Sequence, residues 1–500
     1  MTARRPDPPD EAPTLDPRDW EEFRRVAHRA LDDAIDFVRT VRERPVWRPV
    51  SEAAREGIFE GPPESGAGLE GAYGDLQRLV LPYALDSIHP RFFGWVHGSG
   101  LPSGIVAEMM AAAMDLNCGG RDHVGIYVER AVVDWCRRLF RFPEEATGVI
   151  LTGTSMANLT GLAVARNAKG HGDVRKRGVF EQPKPLVAYA SSEVHDSVGK
   201  GLEVLGLGRD ALRLVPVLDD FSMDVAELRR RIRADRDAGA QPFAVVATAG
   251  TVNTGAIDDI QAIEAVCREE GLWMHVDGAF GALIMLSEKL RPRIAGVERA
   301  DSLAFDFHKW MHVPYDAGML LVRDGDAHRR AFGVQAAYLR RARRGLAGGG
   351  DWPCDFGPEL SKGFRALKIW LAWKEAGSDA FARSIEDNCD LAEYLAERLR
   401  REPGVAVVNR PRLSVVCFRF TREGWTDEAL DALNEDVAAD LQESGIAVPS
   451  TTRLHGRSVI RANITNHRTR RDDLERFVEA AFAAAERRFA AGATAVQAGS

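Results

Sequence analysis

The stretch His-Val-Asp-Gly-Ala-Phe-Gly at residues 275–281 and the stretch Asp-Phe-His-Lys-Trp at residues 306–310 each follow a short apolar run. Runs of this length are typical of strands buried inside a sheet, so each stretch puts a polar group where a strand ends. Asp277 and Lys309 are the most informative of these groups. A buried carboxylate is costly unless a cation faces it, and a buried lysine is tolerated mainly when it is neutral or covalently bonded.

Further apolar runs alternate with helical patterns on both sides of these stretches, from about residue 147 to residue 322. The runs cover residues 148–151, 186–190, 211–217, 243–248, 272–276, 302–305 and 318–322. This alternation predicts an α/β fold in which a largely parallel sheet is covered by helices on both faces. Ligands of such sheets bind at the carboxyl ends of the strands, which is where Asp277 and Lys309 lie.

The segments that flank this region differ from it in pattern. Before it, residues 20–44 carry apolar side chains at helical spacing up to Pro45, and a Pro/Gly linker follows. Beyond about residue 375, helices alternate with strands at 413–420 and 459–464, which predicts a smaller α+β domain. We therefore predict an N-terminal tail and helical arm, a large domain, a small C-terminal domain and a tail, with the respective bounds 1–88, 89–375, 376–490 and 491–500. Because the arm has no obvious core, we expect it to pack on the main domain or on a second subunit.

Composition excludes several classes of protein. The chain has 500 residues, of which 45% are hydrophobic and 28% charged, as in ordinary globular proteins. Its 66 basic and 74 acidic residues give a net charge of −8, so we expect neither nucleic acid nor a membrane surface as a partner. Six scattered cysteines without a C-x-x-C pair predict no metal site and a reducing compartment. We expect a cytoplasmic protein, because the N-terminus lacks an apolar signal region and no window is apolar enough to span a membrane.

One cofactor satisfies the requirements of both Asp277 and Lys309. Pyridoxal phosphate presents a pyridinium nitrogen to a carboxylate and an aldehyde that bonds to a lysine amine. Either residue alone is more simply explained as a helix-capping aspartate or a surface lysine. Their joint occurrence at strand ends favours the cofactor.

Together with five other motifs, the two stretches resemble the pyridoxal-phosphate-dependent amino-acid decarboxylases, the group of the aromatic amino acid, histidine and glutamate enzymes. The resemblance covers roughly residues 85–480. The motifs are His-Pro-Arg-Phe-Phe (89–93), Thr-Gly-Thr-Ser-Met-Ala-Asn (152–158), the surroundings of His195, Ala-Gly-Thr (249–251) and Phe-Arg-Ala-Leu-Lys (364–368). The resemblance implies the fold of aspartate aminotransferase, pyridoxal 5'-phosphate as cofactor, and a homodimer with active sites at the subunit interface.

The phosphate end of the implied cofactor site includes Thr154 and Ser155. These residues lie where a strand gives way to a helix, so backbone N–H groups and two hydroxyls can hold a phosphate, although an ordinary helix start has the same pattern. The resemblance places His308 against the phosphate or in control of the lysine loop. Asp306 replaces an asparagine that many members of the family carry, and a direct contact between this carboxylate and a phosphate would be repulsive.

The ring end of the implied site includes His195, Asp277 and Lys309. The resemblance implies that Lys309 bonds to the cofactor, that Asp277 keeps the ring nitrogen protonated, and that His195 stacks on the ring and touches the substrate carboxylate. The alternative for His195 is a histidine that makes only local hydrogen bonds. Thr251 and Ala279 match positions near the cofactor oxygen and the ring face.

Tyr338 completes the implied catalytic set. It lies in a segment that resembles the mobile loop of the family, whose tyrosine takes part in delivering a proton to the α-carbon. The alternative is that Tyr338 is one aromatic residue on an amphipathic surface.

The substrate side of the site is implied by four residues. Trp95, Val96 and His97 match positions that line the substrate pocket of the family. Arg121 is either a polar substrate contact or the local partner of a carboxylate. Trp95 and Val96 favour an aromatic substrate, whereas Arg121 and His97 leave acidic or polar amino acids open.

We therefore expect an L-amino-acid decarboxylase, a carboxy-lyase that forms an amine and carbon dioxide from a small-molecule amino acid. The alternatives on the same fold are an aldehyde-forming oxidative decarboxylase and another carbon–carbon lyase. Aldehyde-forming relatives commonly carry phenylalanine where this chain has Tyr338, which favours simple decarboxylation. A non-catalytic pyridoxal-binding regulator is the alternative from another class, and the sequence has no recognisable DNA-binding module to support it.

Overall fold

The computed structural model of the protein describes residues 14–333 and 342–498. These residues fall into two compact units, of which the first holds the described residues up to 43 together with 48–85, and the second holds 44–47 and everything from residue 86 onward. In the first unit lie α1 (Trp20–Arg39), α2 (Glu52–Ile58) and α3 (Gly68–Asp75). Tyr73 of α3 donates a hydrogen bond of 2.5 Å to Asp33 of α1, which joins these two helices.

The second unit is built around a seven-stranded sheet. Its strands are β1 (Thr147–Leu151), β2 (Leu186–Ser191), β3 (Leu212–Val215), β4 (Gln241–Thr248), β5 (Trp273–Asp277), β6 (Ser302–Asp306) and β7 (Gly318–Val322). Their order is β1-β7-β6-β5-β4-β2-β3, and β7 runs antiparallel to both of its neighbours while the remaining pairs are parallel. The prediction of a largely parallel α/β sheet is confirmed, and each predicted apolar run coincides with a strand.

Helices cover both faces of this sheet. The helices are α4 (Ser103–Met114), α5 (Val124–Leu139), α6 (Thr154–Lys169), α7 (Val174–Arg177), α8 (Asp196–Val204), α9 (Val225–Asp237), α10 (Ile260–Glu270), α11 (Phe307–Trp310) and α12 (Gly325–Phe332). Successive strand residues enter opposite cores: Val245 packs in one apolar cluster and Val246 in the other. This explains why the strands are apolar throughout rather than alternating in polarity.

A four-stranded antiparallel sheet follows later in the chain, in the same compact unit. Its strands are β8 (Val405–Val407), β9 (Val415–Phe420), β10 (Ser450–Leu454) and β11 (Arg457–Asn463), in the order β10-β11-β9-β8. The accompanying helices are α13 (Arg365–Arg400, interrupted at Gly377, whose φ is 72°), α14 (Asp427–Glu443) and α15 (Arg471–Ala498). Phe418 of β9 and Phe477 of α15 share their core. The predicted domain bounds stay a prediction.

No helix in the described ranges is both long enough and apolar enough to cross a membrane.

A buried ion pair fixes α5 against the large sheet. Glu129 of α5 accepts a hydrogen bond from the backbone N–H of Ile150 in β1 and pairs with the ammonium group of Lys362, which precedes α13. Both charged side chains are almost wholly buried, at 3% and 2% exposure. Each charge therefore depends on the other for compensation.

We predict that Lys362→Met destabilises the protein by about 3–5 kcal/mol, because it leaves the Glu129 charge buried and unpaired. The double variant Glu129→Gln/Lys362→Met removes both charges, keeps an acceptor for Ile150, and should recover most of that loss. Urea unfolding of the three proteins measures the difference. Equal destabilisation by the single and double variants would show that the pair matters only through packing.

Candidate active site

A cavity of about 390 Å³ lies at the carboxyl ends of β1, β2, β4, β5 and β6. It has the size of a small-molecule site and the position that ligands take on open α/β sheets. Most of the residues predicted from the sequence line it, namely Trp95, Val96, Thr154, Ser155, His195, Asp277, Ala279, His308 and Lys309.

Three of the other predicted residues are described and do not line the cavity. Thr251 is buried and its hydroxyl lies 3.0 Å from that of Thr254, while Arg121 places its guanidinium 4.9 Å from the centre of the Trp352 ring, away from the cavity lining. His97 contacts the lining residue Tyr315, and the Tyr315 hydroxyl lies 3.2 Å from Nδ1 of His97. Tyr338 is outside the described residues, and its role stays a prediction.

The carboxylate of Asp306 organises the turn that carries Lys309. Its Oδ2 lies 2.7 Å from Nζ of Lys309, and its Oδ1 accepts a hydrogen bond of 2.7 Å from the backbone N–H of Thr154. Burial acts to raise the pKa of Asp306, but the positive charge of Lys309 and these hydrogen bonds hold that pKa below its usual value. An ionised aspartate therefore ties the lysine turn to the start of α6.

His308 is fixed beside this pair as a neutral ring. Its Nδ1 accepts a hydrogen bond of 3.1 Å from the backbone N–H of Ala317, and its ring packs against Tyr315 with centroids 4.3 Å apart. Burial is the main reason that the pKa of His308 lies below its usual value.

Asp277 is held at the end of β5 by neutral donors. The backbone N–H of Ala279 donates to its Oδ1 over 3.1 Å, and the side-chain amide of Asn158 donates to its Oδ2 over 2.8 Å. Because neither donor is charged, the negative charge of this buried carboxylate remains available to a cationic group of a ligand.

The start of α6 provides the features of an anion site. Backbone N–H groups converge at this helix end, where the helix dipole favours negative charge. The hydroxyl of Thr154 is buried there and has no hydrogen-bond partner within the described parts of the chain. A phosphate at this position would supply the missing partner. A lysine, an opposed carboxylate and an anion site in one cavity thus fit pyridoxal phosphate.

His195 approaches the same cavity as the N-cap of α8. Its Nδ1 accepts a hydrogen bond of 3.2 Å from the backbone N–H of Ser197 and lies 2.8 Å from the hydroxyl of that residue. The cap fixes the ring at the cavity wall, since the ring nitrogen away from the cavity is engaged by the helix start.

Tyr315 and Asn158 are among the residues of the site that sequence reasoning missed. Tyr315 lines the cavity six residues after Lys309, and burial together with the Asp306 charge raises its pKa to about 12. Asn158 belongs to the motif at 152–158 but received no role. The available signal was a polar side chain on a helix face that is otherwise apolar.

Gly98 packs directly against the lysine turn. A Cβ atom at this position would lie 2.6 Å from the carbonyl oxygen of Lys309 and closer still to that of His308. The backbone of residues 97–98 therefore limits where the turn can lie.

Comparison with known proteins gives the following matches. The family model of the pyridoxal-dependent decarboxylase conserved domain matches residues 56–421. The aromatic-L-amino-acid decarboxylase of Bacillus atrophaeus is 32% identical over 91% of this chain and 93% of its own length. The cysteine sulfinic acid decarboxylase of Homo sapiens is 32% identical over 69% of each chain. The crystal structure of Oryza sativa TDC with PLP and tryptamine aligns with a TM-score of 0.87 and 25% identity, over 95% of this chain and 99% of that one.

We predict that Gly98→Ala displaces the turn that carries Lys309. The added methyl group should lower the free energy of unfolding by about 1–3 kcal/mol, as overpacking does, and reduce the fraction of chains in which borohydride fixes pyridoxal phosphate to Lys309. Urea unfolding and peptide mapping measure the two effects.

Gly363→Ala is the matched control, because a Cβ atom there meets nothing within 4 Å. It should stay within about 0.5 kcal/mol of the parent. A Gly98→Ala protein that behaves like this control would contradict the predicted contact.

Proposed function

The chain belongs to the family of pyridoxal-dependent decarboxylases, and we propose that it converts an aromatic L-amino acid to the amine and carbon dioxide. The family makes it a carboxy-lyase that uses pyridoxal phosphate. The observation that supports an aromatic substrate is the wall of the cavity. Trp95, Val96, Val252 and Phe280 present apolar surface to it.

Pyridoxal phosphate, when bound, supplies an aldehyde that takes the substrate amine and a ring that accepts the electron pair left by departing carbon dioxide. In our proposal Lys309 holds the cofactor covalently and Asp277 holds a proton on the ring nitrogen. His195 packs against the ring, and the start of α6 with Thr154 and Ser155 binds the phosphate. These roles place each charge of the cofactor opposite a group that compensates it.

The charges of the cavity argue against an acidic substrate. A side-chain carboxylate would need a cation. Among the described residues that line the cavity, Lys309 is the only lysine or arginine, and its ammonium group is paired with Asp306. Burial lowers the pKa of His308 and of the neighbouring His97, so neither ring offers a positive charge near neutral pH. The stacking of Arg121 on Trp352 keeps a further cation away from the cavity lining.

Tyr315 supplies a neutral polar group at the cavity lining, and His97 lies behind it within hydrogen-bond distance. The hydroxyl of Tyr315 stays protonated because its pKa is about 12. This pair can exchange hydrogen bonds with a phenol hydroxyl or an indole N–H, whereas it cannot neutralise a carboxylate. The relatives that act on aromatic amino acids or carry tryptamine support the same substrate class.

We also propose that the active protein is a homodimer. Helix α4 exposes a row of large apolar side chains, Val106, Met109, Met110 and Met114, at 37–49% exposure. An exposed apolar patch of this kind is typical of a protein interface. A second copy of the chain is the expected occupant, as the resemblance to the family implies.

A substrate screen tests the proposed reaction. The purified protein, loaded with pyridoxal phosphate, is assayed for carbon dioxide and amine with the aromatic amino acids, histidine, glutamate and cysteine sulfinate. We expect kcat/KM for the best aromatic substrate to exceed that for both acidic substrates by at least about 100-fold, since an unpaired buried charge costs several kcal/mol. A preference for an acidic substrate would overturn the substrate class. Aldehyde and ammonia as products would overturn simple decarboxylation, and cofactor binding without turnover would favour the regulator.

Two tyrosine variants separate proton delivery from substrate binding. If Tyr338 delivers the proton to the α-carbon, Tyr338→Phe should slow amine formation about 10²–10⁴-fold, which is the usual contribution of a general acid. Slower proton delivery gives dissolved oxygen more time to react at the α-carbon, so aldehyde and peroxide should increase in aerated buffer. Tyr315→Phe is the matched variant, and it should raise KM for hydroxylated substrates with little change in kcat. The reverse pattern would assign the proton to Tyr315.

A further inference from the structure

Asn158 is the centre of a buried hydrogen-bond network beneath the cavity. Its side chain has no exposed surface. The amide nitrogen donates to Oδ2 of Asp277 over 2.8 Å and to the hydroxyl of Ser197 over 3.1 Å. The amide oxygen lies 2.9 Å from Nε2 of His275. One side chain thus contacts the carboxylate of the cofactor site, the cap of α8 and a buried histidine.

The partners of Asn158 determine the direction of each hydrogen bond in the chain that runs from Asp277 through Asn158 to His275. An ionised Asp277 only accepts, so the NH₂ group of Asn158 faces it and the amide oxygen faces His275. Nε2 of His275 must then donate, and burial, which lowers the pKa of this ring to about 4, keeps it neutral. Its Nδ1 accepts from the hydroxyl of Ser302 over 2.7 Å, and that oxygen accepts from the indole N–H of Trp273 over 2.8 Å.

A second set of hydrogen bonds runs from Asn158 through Ser197 to His195 and favours one tautomer of that ring. The hydroxyl of Ser197 accepts from Asn158, so its own hydrogen is free to donate to Nδ1 of His195 over 2.8 Å. The backbone N–H of Ser197 also donates to this nitrogen. A neutral His195 ring that accepts at Nδ1 carries its proton on Nε2.

We propose that Asn158 is a positioning residue of this decarboxylase, which orients the Asp277 carboxylate toward the ring nitrogen of the cofactor and, through the Ser197 hydroxyl, supports the His195 tautomer that carries its proton on Nε2. Each oxygen of Asp277 receives one hydrogen bond, from Ala279 and from Asn158. Removal of the Asn158 amide leaves one oxygen of a buried charge without its donor, which weakens the ionised form that a pyridinium needs. The inference rests on the cofactor site of the family and not on the identity of the substrate.

The test is a titration of the cofactor-free protein with pyridoxal phosphate in the absence of substrate. Asn158→Asp has nearly the same shape but puts an oxygen against Asp277, and two carboxylates so close share a proton. We expect its cofactor dissociation constant to rise at least about tenfold, because a hydrogen bond to a charged group is lost and a repulsion is gained. The pH at which the visible band of the bound cofactor changes should shift in the same direction as in Asp277→Asn.

Two variants of His275 test the direction of the hydrogen bond between its ring and the amide oxygen of Asn158. His275→Gln retains an N–H group for the amide oxygen of Asn158 and should keep the parent titration within about threefold. His275→Leu lacks that donor and should move both readouts in the direction of Asn158→Asp. A role of His275 in packing alone would make glutamine at least as harmful as leucine.

Asn434→Asp controls for the burial of a new carboxylate. Asn434 is also fully buried and makes three hydrogen bonds, but it lies in α14 against the four-stranded sheet. This variant should lose stability and leave the cofactor band unchanged. If Asn158→Asp does not fold, the same titration is carried out with Asn158→Ser, which we expect to bind the cofactor about three- to tenfold more weakly than the parent. The proposal is overturned if the folded Asn158 variants bind the cofactor within twofold of the parent with an unshifted band, or if Asn434→Asp shifts the band equally.

Discussion

The ion pair between Asp306 and Lys309 is the interaction on which the rest of the site depends. The carboxylate is 2% exposed and bridges two elements that are distant in sequence, since one oxygen contacts the lysine ammonium and the other the first N–H of α6. An uncompensated charge at such a depth would cost several kcal/mol, so the lysine turn and the start of α6 are held in one arrangement. That arrangement puts Lys309, the proposed covalent anchor, beside the proposed phosphate site at the start of α6.

The surroundings of Asp277 in the same cavity are organised by neutral hydrogen bonds rather than by ion pairs. Asp277 receives its donors from a backbone N–H and from Asn158, and the histidine and indole behind them are uncharged. A second cation at this depth would neutralise the carboxylate, which could then no longer compensate the positive charge of a pyridinium ring. The two carboxylates therefore differ electrostatically: Asp306 is paired with Lys309, whereas Asp277 has no ion pair among the described residues and is the proposed partner of the ring nitrogen.

The cavity wall that includes Trp95, the proposed substrate wall, is set by the smaller sheet as well as by the larger one. Trp95 has a φ of 48°, which is unusual for a bulky residue, and its carbonyl accepts a hydrogen bond of 2.8 Å from Arg461 of β11. Arg461 is buried, and desolvation lowers its pKa to about 10. The C-terminal sheet thus fixes the backbone from which Trp95 reaches the cavity. The smaller sheet therefore contributes, through Trp95, to a cavity whose other walls come from the larger sheet.

The sequence by itself determined the strands of the large sheet and the strand-end positions of Asp277 and Lys309. Both follow from local pattern: continuous apolar runs predict strands buried on both faces, and the residue after such a run lies at the sheet edge where ligands bind. It also indicated the family, through motifs whose residues lie close together in the chain. Tertiary structure alone decided that Asn158 contacts Asp277 from 119 residues away and that Tyr315 contacts His97 across 218. It also decided that Arg121 stacks on Trp352 rather than lining the cavity. The reason is physical, since periodicity shows which face of an element is buried, whereas the partner of a buried polar group depends on which elements the fold packs against it.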